Sequence, residues 1–158
     1  MSNEQSSTKS VVIERTFDAP IALVWQLWTE PEHFKNWYGP QGFTIPVAEM
    51  DVSNGGKRLI CMSSPDGSMT MWTVGEFTEI IPNERLVYTE SMSDENGNVI
   101  APPSSEHPST TTVIVELEDL NGQTKMTMTH EGVPADSPGA SGWEQAFVKL
   151  EAHLNTSL

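Results

Sequence analysis

The chain has little positive charge, almost no cysteine and no long apolar run. Its 158 residues carry 22 acidic side chains against 8 Lys and Arg, a formal net charge of −14. Such a surface does not neutralise phosphates, which argues against a nucleic-acid partner and against binding to an anionic membrane. A single cysteine, Cys61, excludes an internal disulfide and a CxxC metal site. It falls in a strand pattern and reads as a buried core thiol. No apolar stretch approaches membrane-spanning length. Residues 1–10, MSNEQSSTKS, are polar, lack the apolar centre of a signal peptide and read as a disordered tail. A cytoplasmic, reducing location is the expectation. Signatures of hydrolase and nucleotide chemistry are missing too: there is no G-x-S-x-G, G-x-x-x-x-G-K-[ST] or G-x-G-x-x-G. The histidines, His33, His107, His130 and His153, show no H-x-x-x-H spacing. One Glu30/His33 pair is too few ligands for a carboxylate-bridged metal centre, so neither a metal nor a cofactor is expected.

What is present begins with the last stretch, residues 138–154, PGASGWEQAFVKLEAHL. Trp143, Phe147, Leu150 and Leu154 recur at helical spacing with Ala146 beside them, and Glu144, Gln145, Lys149, Glu151 and His153 form the wet face. Ser137 is placed to cap this helix with Pro138 in its first turn. A capping box from Ser141 and Glu144 offers a later start, and the earlier one is favoured. Residues 11–18 read as a strand with Val11, Ile13 and Phe17 on one face. Ile21, Val24, Trp25 and Trp28 then mark a short helix, with Pro20 in its first turn. Thr29 to Glu32 reads as a T-x-x-E capping box opening a second short helix that carries Phe34 and Trp37 inward. After Gly42, turn signals at 54–56, 66–67, 82–83 and 121–122 separate strands over 43–52, 57–63, 68–80, 85–92, 110–118 and 123–130. Residues 93–109 are polar and proline-rich, and read as an exposed mobile excursion. Short turns imply antiparallel neighbours, and a sheet of this size twists and curls. The expectation is one domain over 11–156 of the α+β class. It has the helix-grip arrangement: a curved seven-stranded antiparallel sheet around the long C-terminal helix, with two short helices after the first strand.

Specific residues also carry a resemblance. The run Arg15-Thr16-Phe17-Asp18-Ala19-Pro20, then Val24-Trp25 and Trp37-Tyr38-Gly39-Pro40, opens it. Asp51 with Gly55-Gly56, Pro65-Asp66-Gly67, Gly75-Glu76-Phe77, the run from Pro82 to Tyr88, Thr129-His130 and Gly142-Trp143 continue it in order. Over residues 11–154 the chain resembles the homologues of the activator of heat-shock protein 90 ATPase, a family of the START-like (SRPBCC, birch-pollen-allergen-like) superfamily. The resemblance implies a deep apolar cavity between sheet and long helix. It is to the domain that is C-terminal in the eukaryotic activator, and it departs at Trp37-Tyr38, where the family often has two tryptophans. At 57–59 Lys, Arg and Leu follow the glycine pair, where the family often has an aromatic.

All methionines but Met1 lie on or beside predicted strands, and methionine recurs where a surface adapts to varied partners. Core filling is its commoner use. Met126, Met128 and His130 share one face of their strand; Met69 and Met71 share one with Gly75 and Phe77. Leu86, Tyr88, Glu90 and Met92 alternate inward if Leu86 is core, which aims Glu90 at the cavity. Trp72 falls on the outer face. The expected ligand-binding set is Trp37 at the mouth, Met62, Met69, Met71, Tyr88, Glu90, Met126, Met128, His130, Trp143 and Phe147. The expected function is binding of a small hydrophobic molecule, neutral or cationic because of Glu90. Two alternatives remain. One is a cofactor-free enzyme of the cyclase or dehydratase kind, with Glu90 and His130 as its catalytic candidates, although a strand-end Glu90 in water or bonded to a neighbour is the reading preferred over catalysis. The other is a co-chaperone-like, stress-response protein with a chaperone partner, which the family resemblance implies. A monomer or homodimer fits any of them.

Overall fold

The structure is a computed structural model that describes residues 10–100, 110–135 and 137–155. Seven strands form one antiparallel sheet: β1 (Ser10–Phe17), β2 (Thr44–Met50), β3 (Lys57–Ser63), β4 (Thr70–Ile81), β5 (Arg85–Ser93), β6 (Thr111–Asp119) and β7 (Thr124–Glu131). Their order is β1-β7-β6-β5-β4-β3-β2, so the first strand pairs with the last and β2 is the other edge. The sheet curves around the long helix α3 (Pro138–Leu154), and α1 (Ile21–Thr29) and α2 (Pro31–Phe34) follow β1. Strand register puts one set of side chains in the trough. Met62 faces Met71, Phe77 faces Tyr88, Tyr88 faces Val113 and Val113 faces His130. With a period of two, that assignment carries Arg58, Ile60, Leu86, Glu90, Met126 and Met128 inward as well.

Two register shifts interrupt the sheet, one of them in β2–β3 between Thr44 and Val47. The β4–β5 register slips between Phe77 and Glu79. Beside it, Gly55 donates to the Phe77 carbonyl and Phe77 to that of Gly56, so the glycine turn takes up main-chain bonds at the slip. Gly75 permits the close approach of β4 to β5: a Cβ there would stand 1.8 Å from the Thr89 carbonyl oxygen.

The trough is filled from both ends. Phe147 and Leu150 of α3 are buried, as are Trp28, Phe34 and Trp37 of the α1–α2 segment. Trp28 crosses Trp37 edge-on at 4.8 Å and meets Phe147 at 6.2 Å, while its indole nitrogen reaches the Met126 sulfur at 3.3 Å. Aromatic edges and faces in such arrangements add to the area buried. Three local expectations are corrected. Thr29 is the last residue of α1 and its hydroxyl donates to the Trp25 carbonyl; Glu30 occupies the N-cap of α2 with no side-chain bond, so there is no capping box. Pro20 stands at the α1 N-cap rather than inside the helix. Ser137 does hold the N-cap of α3, but its hydroxyl donates backward to the Pro134 carbonyl.

The start of the 93–109 excursion folds back on β5. Asp94 caps a turn by accepting from the Asn96 and Asn98 main-chain nitrogens, and Ser93 bridges Val99. Residues 101–109 of that expectation lie outside the described residues. Cys61 is buried, as its strand position suggested.

Candidate functional site

One cavity of about 290 Å³ opens where α3 crosses the β3–β5 end of the trough. Met62 and Met71 supply its sheet wall, Gly142, Trp143 and Ala146 its helix wall, and the 38–40 loop its rim. That loop is pinned to α3. Lys149 donates through Nζ to the carbonyls of Tyr38 (3.2 Å) and Pro40 (2.9 Å), and the Gln41 amide donates to Gln145 Oε1 (2.9 Å). Burial of Lys149 lowers its proton affinity. Gly39, at φ +89°, suits the turn, and a Cβ there would lie 2.8 Å from the Met62 sulfur.

The deep end of the cavity is polar and converges on Glu90, whose side chain is only 14% exposed. The Tyr38 hydroxyl donates to Glu90 Oε2 at 3.0 Å. Arg58 approaches the same oxygen at 3.8 Å from the far side and is 1% exposed. Its guanidinium lies over the Tyr88 ring at 3.8 Å and 5.5 Å from the Phe34 centroid. Arg58 Nε and Nη1 and the Tyr88 hydroxyl make no hydrogen bond among the described residues. Burial pushes the Tyr38 phenol well above its ordinary 10.0, and the Glu90 charge adds to the shift. Burial also raises Tyr88, with Arg58 opposing.

His130 closes the other side. An indole nitrogen only donates, so the 3.0 Å contact from Trp143 Nε1 makes His130 Nδ1 an acceptor. The proton then sits on Nε2, which faces the Thr111 hydroxyl at 2.8 Å and Glu90 Oε1 at 3.8 Å. The Thr111 hydroxyl in turn donates to the Glu90 main-chain carbonyl at 3.4 Å. Burial lowers His130 below its ordinary 6.5, and Arg58 adds to this, while Glu90 pulls the other way. Neutral His130 with both nitrogens engaged is therefore a braced element of the wall. Glu90 and Tyr38 are the polar groups that face the cavity with capacity to spare.

A family model described as Activator of Hsp90 ATPase homolog 1-like protein matches residues 18–155. The chain belongs to this family. No curated protein sequence matches it. Solved structures repeat the fold of this AHSA1-like domain. Protein CV1439 from Chromobacterium violaceum is 22% identical with a TM-score of 0.79, covering 94% of this chain and 99% of that one. Ms6760 from Mycobacterium smegmatis is 21% identical with a TM-score of 0.79, covering 97% and 94%. A protein from Arthrobacter aurescens is 26% identical with a TM-score of 0.78, covering 96% and 89%. No helix among the described residues is long and apolar enough to cross a membrane. Those residues also hold no cluster of three or more potential metal ligands.

Against the sequence expectation, the AHSA1-like domain gathers Met62, Met71, Glu90, His130 and Trp143 around the cavity. It places Met126, Met128, Tyr88 and Phe147 in the solid core, and Trp37 there too rather than at the mouth, with its indole donating to the Leu27 carbonyl. The physical reason is the α1–α2 pair. Its aromatic side chains fill the half of the trough that the sequence left open. Met69 is 54% exposed, because β4 begins at Thr70 and Met69 closes the preceding turn, its carbonyl accepting from the Ser64 amide and its own amide donating to the Ser64 hydroxyl. The sequence reading passed over Tyr38 and Arg58. Arg58 was detectable: it keeps phase with Ile60 and Met62, so the inward face of β3 necessarily starts with a charge.

Proposed function

We propose that this AHSA1-like domain binds one small, mostly apolar molecule in the cavity between β3–β5, the 38–40 loop and α3. The observation that carries the reading is the pairing of apolar walls with a single polar end. Met62, Met71, Trp143 and Ala146 line the walls, and the hydrogen-bonded Glu90–Tyr38 pair stands at the bottom. Ligand pockets have this composition, and a volume of about 290 Å³ stands at the low end of the ~300–1,000 Å³ they span. It suits a compact ring compound better than a long acyl chain. Two thioether walls add adaptability.

Thermal shift across a panel of apolar compounds tests the reading. A binder at a hundredfold excess over its Kd adds about 2.7 kcal/mol, and a domain of this size gains ~2–4 °C per kcal/mol. Gly142→Leu is the matching control. The site for its Cβ has only ordinary contact, with Pro40 at 3.5 Å, and the longer side chain enters the cavity. Removing a helical glycine also adds up to ~1 kcal/mol. The variant should therefore be at least as stable as the parent and show no ligand shift. A panel without any shift, or a shift undiminished in Gly142→Leu, contradicts the site.

A further inference from the structure

Resting on that reading, we infer that the preferred ligand is an uncharged ring compound carrying one hydroxyl, which it donates to Glu90. The inference follows from charge and hydrogen-bond inventory at the bottom of the cavity. Glu90 presents a carboxylate, which accepts and does not donate. A ligand that reaches it without a donor strips water from the carboxylate's remaining acceptor sites and returns no hydrogen bond, a costly exchange. Carboxylate ligands face repulsion from the same group. Cationic ligands gain little, because Arg58, 3.8 Å from Oε2 and 1% exposed, already balances the Glu90 charge from behind. An ammonium would be dehydrated in an apolar cavity to pair with an anion that is already paired.

The neighbours remove the other options. His130 offers no open nitrogen, since Nδ1 accepts from Trp143 and Nε2 faces Thr111. Tyr38 spends its proton on Glu90 Oε2 at 3.0 Å. What remains open to a ligand is acceptor capacity on the Glu90 carboxylate, which lines the cavity, with the Tyr38 oxygen beside it. A neutral O–H satisfies this arrangement, and the thioether and indole walls take the rings.

Four probes on one naphthalene ring separate the cases: 2-naphthol, 2-naphthoate, 2-naphthylmethylammonium and 2-methylnaphthalene, titrated into the full chain at neutral pH by calorimetry. 2-Naphthol should bind about tenfold or more tighter than each of the other three, the effect of one hydrogen bond to a charged group. Glu90→Gln should erase that lead and move preference toward 2-naphthoate, because Arg58 then stands uncompensated. Equal affinities, or a lead for either charged probe in the parent, overturn the hydroxyl inference while the cavity reading stands. Binding by none of the four overturns both. If Glu90→Gln does not fold, the parent's ranking of the four probes still decides.

Discussion

Replacing Trp143 by alanine should cost about 3–5 kcal/mol, the range for removing a large buried aromatic. The indole is 7% exposed. Its ring centroid lies 5.5 Å from Phe147, 5.6 Å from Tyr38, 5.9 Å from His130 and 6.0 Å from Trp28. It also supplies the N–H that His130 Nδ1 accepts. Two effects set the magnitude. The deleted ring leaves space that rigid neighbours cannot close, which drives the cost up. The cavity already borders one side of Trp143, so fewer contacts vanish there than in a solid core. Trp143→Phe separates the terms: it keeps most of the ring and deletes the donor, costing about 1–3 kcal/mol for the unsatisfied imidazole nitrogen and the small void. Urea unfolding with a shared m-value reads both variants. An alanine loss under about 1 kcal/mol, the scale of a surface change, refutes the packing account. Equal losses for alanine and phenylalanine refute the division between ring and hydrogen bond.

Gly75→Ala should cost about 3 kcal/mol or more, beyond ordinary overpacking, because the clash is with main chain and β4 and β5 must part; a loss below about 1 kcal/mol in the same assay would contradict the close approach. Acid should weaken the domain through His130. Burial holds its folded proton affinity below 6.5, so the unfolded chain takes up a proton first. The stability tied to this residue is complete above pH 6.5 and is lost as the pH falls below it, at no more than ~1.4 kcal/mol per pH unit for one proton. His130→Gln should flatten that part of the profile, leaving the smaller contribution of His153, which burial shifts in the same direction; identical slopes for parent and variant below pH 6.5 would refute it.

The sheet was legible because its period is two and its turns are marked. Asn54-Gly55, Asp66-Gly67 and Asn121-Gly122 set the strand ends, and alternation then aimed Glu90, Met128 and His130 inward. The cavity was only half legible. Periodicity says that Trp28, Phe34 and Trp37 face the core, but not how far the short helices tilt into the trough. Their placement decides whether Met126 and Met128 line a space or fill one. Met69 misled because alternation was extended one residue too far, into the turn that Ser64 holds. Tyr38 belongs to a loop, whose direction no periodicity predicts; contacts distant in sequence, to Glu90 and, across more than a hundred residues, to Lys149 and Gln145, hold it. The Glu90–Arg58 pair joins β5 to β3 across β4, a contact that depends on strand order and on the close approach of β4 to β5 that Gly75 permits.

Methionine methyl resonances test the central claim most directly, since the chain has reporters on the cavity, in the core and on the surface. In protein labelled at the methionine methyl carbon, 2-naphthol should shift the Met62 and Met71 signals through its ring current. Those of Met126 and Met128, packed in the core, and of exposed Met69 should stay in place. Movement of Met126 or Met128 without Met62 and Met71 would contradict the cavity. So would stationary Met62 and Met71 signals in the presence of any compound that raises the melting temperature.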